Sequence, residues 1–232
     1  QFLPIMTTNG KGGITIWQCL SYLTGIKAPP LKEGIIEISS AASMEEAVEK
    51  IAQLPMESAP GKSFHYSNVG LQIAAAVIEK ISGWDFKTLF AERIAYRCNM
   101  LHTDWGDGNV PLAAGGARST AEDYIKFLSM ILNEGQYDNN NVLSKNSIIE
   151  MQKNRVAADA IIAYSPAEAG NWGYGFGEWV MDNANGEIRS NAITSPGLFG
   201  SFPWVDNNKQ YAAFLLTFNI KSKGRNEKYT AL

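Results

Sequence analysis

The chain has 232 residues, 45% of them hydrophobic and 19% charged, with a formal net charge of −3. That length suits one large domain or two small ones with a sizeable core; the net charge gives no sign of a nucleic-acid-binding face, and there is no Lys/Arg cluster long enough to track a phosphate backbone. No apolar run reaches the roughly 18 residues of a membrane-spanning helix, and two cysteines, Cys19 and Cys98, are too few for a disulfide framework: they read as buried free thiols, a single bridge being the alternative.

In chain order, "QFLPIMTTNG" opens on an apolar stretch without an initiator Met or signal peptide. "TIWQCLSYLTGI" then leads into a long loop. "SMEEAVEKIAQL" has Ser43 and Glu46 at capping-box spacing, and Met44, Ala47, Val48 and Ile51 share one face, which predicts a helix. In "SNVGLQIAAAVIEKISG", Val69, Ile73, Val77 and Ile81 recur every fourth residue and Gly83 supplies a stop. "DFKTLFAERIAYRC" predicts a helix capped by Asp85. "STAEDYIKFLSMILNEG" predicts another, with Ser119 and Glu122 as capping box and Gly135 as stop, and "LSKNSIIEMQK" a shorter one.

From about residue 171 the pattern changes. "NWGYGFGEWVM", "EIRSNAI", "GSFPWVD" and "KQYAAFLLTFNI" are rich in aromatic and β-branched residues, separated by the turn signals "DNANGE" and "DNNK". They predict three or four antiparallel strands. The expected architecture is α+β: a mainly helical region over 1–170 packed on antiparallel strands over 171–232, together one partial catalytic domain. The end of the chain, "GRNEKYTAL", reads as the first turns of a further helix.

Chemistry-bearing residues are few. His65 and His102 are the two histidines, and neither joins a cysteine or carboxylate cluster at ligand spacing, so no metal site is expected. "DWGDGN", with Asp104 and Asp107, is too sparse for a calcium loop and reads as a turn. Tyr66 and Asn68 in "GKSFHYSNVG" have two readings. In the first, Tyr66 packs on the helix and Asn68 caps it. In the second they form a catalytic Tyr-x-Asn pair, which requires a cation beside the phenol, whose ordinary pKa is about 10.

Three blocks in order bear on that choice: "PGKSFHYSNVG", "GGARSTAED" and "PGLFGSFPWVD". With them the chain, from Phe2 to Asn219, resembles the serine β-lactamase-like superfamily of class C β-lactamases, penicillin-binding peptidases and esterases. The resemblance implies acyl-enzyme chemistry with three elements and no cofactor. The first is a Ser-x-x-Lys carrying the nucleophile and its proton partner. The second is Tyr-x-Asn, matched by Tyr66 and Asn68. The third is a Lys/His-x-Gly triplet, aligned here with Ser195, Pro196 and Gly197 as substrate-binding residues. The following residue, Leu198, would donate its backbone N–H to the oxyanion.

No serine in the chain is followed three residues later by lysine. Thr8-Asn9-Gly10-Lys11 and Thr24-Gly25-Ile26-Lys27 match with threonine but lie in loop-like, glycine-containing segments. By the resemblance, Ser-x-x-Lys lies N-terminal to the first residues here. The chain is therefore expected to be truncated before it and inert alone, with an upstream segment of the same protein or a complementing chain filling the gap.

Ser195 replaces the cation that holds a substrate carboxylate in β-lactamases, which favours a neutral ester over an anionic β-lactam or peptide terminus. Ser195 is otherwise part of the turn into the strand. The intact protein is expected to be a serine hydrolase acting on small esters or amides. A β-lactamase or D-Ala peptidase, and a non-catalytic binding protein on the same scaffold, are the alternatives. Tyr22, in "LSYLTG", is assigned a structural role near the site entrance. Arg118 either reaches a carboxylate in the site or serves the fold. Most of Trp172, Tyr174, Phe176, Trp179, Phe199, Phe202 and Trp204 are expected in the sheet core, with one or two walling an acyl pocket. The resemblance also implies export to the periplasm or beyond.

Overall fold

The computed structural model describes residues 2–182, 186–219 and 224–230. After a 3-10 turn (Pro4–Thr7) come helices α1 (Ile16–Leu20), α2 (Leu31–Ser39) and α3 (Met44–Gln53), strand β1 (Ser63–His65), and helices α4 (Val69–Ser82) and α5 (Phe86–Phe90). A π turn (Ala91–Ala95) leads to α6 (Ala121–Leu132), β2 (Gln136–Tyr137), β3 (Asn140–Asn141), α7 (Lys145–Met151) and β4 (Ile161–Tyr164). Strands β5 (Gly173–Tyr174), β6 (Trp179–Val180), β7 (Ala192–Thr194), β8 (Phe202–Asp206) and β9 (Tyr211–Leu215) follow, then α8 (Arg225–Thr230).

These elements form two compact units, each assembled from three stretches of chain. The first is Gln1–Ala91, Asp104–Arg118 and Ala158–Ser165; the second is Glu92–Thr103, Ser119–Ala157 and Pro166–Leu232. Helices α6 and α7, grouped by the sequence reading with the helical region, lie in the second unit with the sheet.

In the first unit α1, α3 and α4 enclose a core of Cys19, Ile26, Val48, Ile51, Val69, Ile73 and Ala74, each large apolar side chain contributing about 2 kcal/mol on burial. Helix α3 starts where expected: the Ser43 hydroxyl accepts the Glu46 N–H at 3.2 Å, while the Glu46 carboxylate accepts from Ala42 N–H at 2.8 Å. Val69, Ile73 and Val77 of α4 are buried, whereas Ile81 is 63% exposed. A four-residue spacing turns about 40° further round the helix at each step, so the fourth member leaves the core-facing side. The helix ends at Gly83, whose φ of 72° suits a residue without Cβ. Gly70 lets α4 meet α1, since a Cβ there would lie 2.3 Å from the Cys19 carbonyl oxygen. Helix α2 occupies what the sequence presents as loop. It follows Pro29 and Pro30, and Gly34 interrupts its apolar pattern.

The second unit holds a five-stranded antiparallel sheet in sequential order, β5-β6-β7-β8-β9. The expected three or four strands are five because "NWGYGFGEWVM" folds back on itself: Gly173 pairs with Val180 and Tyr174 with Trp179, with Gly177 at φ 81° in the turn. Part of "DNANGE" and the end of "LLTFNI" lie outside the described residues. Helix α6 lies against β8 and β9, with Tyr124 stacked on Phe214 at 4.6 Å. Its cap is Thr120 accepting from Asp123 N–H, not the expected Ser119, whose hydroxyl instead pairs with Thr103. The helix stops at Leu132, and the Gly135 N–H reaches back to the Met130 carbonyl at 2.9 Å. Cys19 and Cys98 are both free and buried.

Candidate functional site

The approach to Tyr66 is fixed by main-chain bonds within the first unit. Gly61, at φ 86°, donates its N–H to the Leu23 carbonyl at 2.7 Å, which accounts for the glycine of the "PGKSF" turn. Strand β1 follows, and His65 N–H donates to the Tyr22 carbonyl at 3.0 Å. Tyr22 holds that carbonyl in place with a left-handed backbone, φ 56°, a conformation costly for a residue with a side chain and one that collects at functional sites. Strand β1 pairs in parallel with β4. One residue beyond β1, Tyr66 N–H donates to the Tyr164 carbonyl at 3.0 Å.

The Tyr66 ring stands edge-on to Tyr22, centroids 4.9 Å apart. Burial, followed by the neighbouring Tyr164 phenol, pushes Tyr66 up to about 12. The resemblance implies a phenol lowered by a lysine. Here desolvation is the largest influence and decides the direction. Ser67 offers its hydroxyl to Val69 N–H at 3.4 Å. Asn68 occupies the N-cap position of α4, yet its side chain makes no cap bond. It is buried and donates Nδ2–H to the Leu31 carbonyl at 3.3 Å. His65 Nδ1 lies 2.9 Å from the Glu57 carboxylate.

In the second unit, Ser195 follows the last residue of β7 and is exposed, as is Leu198. The turn after it closes through Gly197 N–H to the Ser201 carbonyl and Gly200 N–H to the Gly197 carbonyl, both 2.9 Å, with Gly200 at φ 97°. Among the described residues Leu198 N–H has no hydrogen-bond acceptor. An unpaired N–H donor in a pinned turn is what an oxyanion requires.

The structure thus brings Tyr66 and Asn68 together at the head of α4, and Ser195, Pro196, Gly197 and Leu198 together in the turn after β7. Neither threonine that mimics a nucleophile starts a helix. Thr8 is exposed in the turn after Pro4–Thr7, and Thr24 lies in irregular chain. Lys11 is buried, with no hydrogen-bond partner for Nζ among the described residues, and burial lowers its pKa.

Arg118 pairs through its main chain with Asp104, whose carboxylate accepts from Gly106 N–H at 2.6 Å and closes the "DWGDGN" turn. Tyr174, Trp179 and Phe202 are core; Phe199 is exposed and stacks on Phe218 at 5.3 Å. Tyr164 has no sequence signature: "AIIAYS" carries no local sign that its carbonyl meets Tyr66 from across the sequence.

The fold is that of a β-lactamase/transpeptidase-like protein, with a Tyr-x-Asn element at a helix head and a triplet turn after a sheet strand. Over residues 1–230 the sequence matches the family model described as Beta-lactamase, and the chain belongs to that family, within the serine β-lactamase-like superfamily. A crystal structure of a putative β-lactamase from Bacteroides dorei is 29% identical, with a TM-score of 0.79 over 97% of this chain and 70% of that one. EstCE1, a hydrolase with promiscuous acyltransferase activity, shares the fold at 18% identity, with a TM-score of 0.75 over 98% of this chain and 76% of that one. An unguisins hydrolase from Aspergillus violaceofuscus is 28% identical over 114 residues, 47% of this chain and 20% of that protein. The chain thus matches about a fifth of that curated relative's length. No helix among the described residues is long and apolar enough to cross a membrane.

Proposed function

We propose that the protein to which this chain belongs is a serine hydrolase that cleaves esters, and secondarily amides, through an acyl-enzyme. The observation that carries this reading is the Tyr66–Asn68 block, with its phenol edge-on to Tyr22 and its main chain fixed to β4, in a chain matched to the family over residues 1–230. A serine outside residues 1–232, supplied by the same protein or a complementing chain, attacks the carbonyl carbon. Its proton passes to a lysine–Tyr66 pair, because a hydroxyl is a weak nucleophile until a neighbour accepts that proton. The carbonyl oxygen becomes an oxyanion and accepts from Leu198 N–H and from the serine's own N–H. Asn68 orients the substrate carbonyl and holds the lysine. Collapse expels the alcohol, protonated through Tyr66, and water then releases the acyl group.

Tyr66, at about 12 in the described residues, cannot act as a base near neutral pH unless a cation lies beside it. The upstream lysine fills that role, so these residues alone are inert in the reaction. A neutral, exposed Ser195 offers a substrate carboxylate no charge, which supports esters over β-lactams. Small-molecule substrates of this kind, met in the periplasm or outside the cell, fit the family.

The test is the intact mass of the full-length protein after exposure to a fluorophosphonate. One adduct on a serine upstream of Gln1, formed more slowly in Tyr66→Phe, supports the reading. A folded full-length protein that takes no adduct overturns it and leaves a binding scaffold.

A further inference from the structure

The turn that carries Leu198 is held by its carbonyls. Gly197 O accepts from Gly200 N–H at 2.9 Å and Phe199 O from Asn219 N–H at 2.6 Å. Gly200 O accepts from the Thr217 hydroxyl at 2.7 Å and the Tyr229 hydroxyl at 3.3 Å. The remaining carbonyl of the four, Leu198 O, accepts from Arg225 Nη1 at 3.0 Å. Arg225 is 7% exposed at the start of α8; it also donates Nη2–H to Asn219 O and lies 3.6 Å from the Glu168 carboxylate. Tyr229, one turn further along α8, stacks flat on Phe202 of β8 at 4.0 Å. Two planar peptide groups flank the Leu198 Cα, and both are pinned, one by Gly200 N–H and the other by Arg225.

A peptide group is rigid, so fixing its carbonyl fixes the direction of its N–H. The bond from Gly200 sets the plane that contains Leu198 N–H. The bond from Arg225 stops the next peptide, and with it the Leu198 backbone, from rotating. A guanidinium fork suits this task because it can hold Leu198 O and Asn219 O at once in fixed geometry, which a lysine ammonium does less well.

We propose that Arg225 is a positioning residue for the oxyanion donor: anchored by Glu168, it orients the Leu198 peptides so that the free N–H is preorganised for the tetrahedral intermediate. The proposal rests on the acyl-enzyme reading given above. Arg225 acts through the backbone of Leu198 and touches no reacting atom.

The experiment uses the full-length protein with p-nitrophenyl acetate as substrate and a fluorophosphonate as titrant of competent sites. In Arg225→Gln, kcat per titrated site falls by about 10- to 100-fold, within the loss that follows removal of one oxyanion donor, and KM stays within about twofold. Arg225→Lys recovers part of the loss, and guanidinium ion added to Arg225→Ala restores more of it. A merely structural role would lower the titrated fraction and the melting temperature while leaving kcat per site unchanged.

An unchanged kcat per site overturns the proposal. So does a rise in KM alone, which would make Arg225 a substrate contact. If Arg225→Gln fails to fold, Glu168→Gln serves instead: it loosens the guanidinium without removing it, and must lower kcat per site in the same sense. Wild-type protein that takes no fluorophosphonate sinks the hydrolase reading itself, and this proposal with it. Labelling at wild-type rate in the Arg225 variants sinks only this one.

Discussion

Tyr66 and Tyr164 are joined through the main chain, the N–H of the first donating to the carbonyl of the second at 3.0 Å, and the Tyr164 phenol adds to the burial that pushes Tyr66 up to about 12. Phenolate formation at Tyr66 is therefore expected only at strongly alkaline pH in residues 1–232 alone, and closer to neutrality in a full-length protein that sets a lysine beside it, as the proposed function requires. Ultraviolet difference titration of the chain and of the full-length protein, each against its Tyr66→Phe variant, measures this. A Tyr66 that ionises below pH 10 in the chain alone would defeat the prediction. Tyr164→Phe removes the smaller contribution and moves the value only modestly downward.

Much of this arrangement is local and so was readable in advance. Ser43 and Asp85 cap helices because a hydroxyl or carboxylate three residues before a free N–H reaches it without help from the rest of the chain. Tyr66, Asn68 and the turn before Leu198 were readable as motif residues. Strand β4, Tyr164 and Arg225 were not, because their partners lie far away in sequence and nothing in "AIIAYS" or "GRNEKY" encodes a distant hydrogen-bond partner. Helix α2 was hidden by Pro29, Pro30 and Gly34. The Ser119/Thr120 choice was ambiguous because either hydroxyl precedes an acidic residue by three positions, and Thr103 settles it by taking Ser119.

Glu178 is the second titrating group with a measurable consequence. It is buried, its Oε1 has no hydrogen-bond partner among the described residues, and burial raises its pKa to about 8 against the pull of Arg189. An unfolded glutamate releases its proton near 4.3, so between about pH 4.3 and 8 the native state binds more protons and stability falls as pH rises, levelling above 8. Glu178→Gln is expected to remove that slope and to be more stable than wild type at pH 8.5. Urea unfolding at pH 5, 7 and 8.5 tests this; parallel curves for the two proteins would refute it.

Asp123 has the opposite sign. Its burial favours the neutral acid, but the His102 N–H at 2.6 Å, the Lys126 ammonium at 3.1 Å and the Thr103 hydroxyl at 3.0 Å outweigh that and hold the carboxyl below its ordinary value. The stability it supplies is present above the unfolded pKa of about 3.9 and is lost as pH falls through the lower folded value. Asp123→Asn is expected to cost on the order of 1–3 kcal/mol at neutral pH, since it weakens or removes the acceptor of the His102 N–H and Thr103 hydroxyl bonds, and to flatten the acid limb of the stability curve. A loss under about 0.5 kcal/mol in thermal or urea unfolding, the size usual for a surface substitution, would contradict this account of the "STAED" block.

Gly70→Ala is expected to be more destabilising than Gly83→Ala, although both sit in or beside α4. At Gly70 the new Cβ meets the Cys19 carbonyl oxygen at 2.3 Å, a backbone atom that moves only if α1 moves, and overpacking of this kind costs about 1–3 kcal/mol. At Gly83 there is open space and the cost is that of a left-handed backbone, φ 72°, about 1–2 kcal/mol. Urea midpoints of the two variants rank them, and equal midpoints would mean that α1 yields freely.

The first unit draws on three separate stretches of chain, and the carbonyl that fixes the Tyr66 backbone belongs to the last of them. During synthesis, Tyr66 leaves the ribosome with its α4 neighbours but without its acceptor. At about 5–20 residues per second, the wait for Tyr164 lasts on the order of 5–20 s, far longer than a helix takes to form. A nascent chain stalled before Ala158 would hold a nearly complete helical unit whose candidate catalytic tyrosine has no main-chain anchor. The order of translation therefore makes the backbone geometry of Tyr66 one of the last features of its unit to be completed.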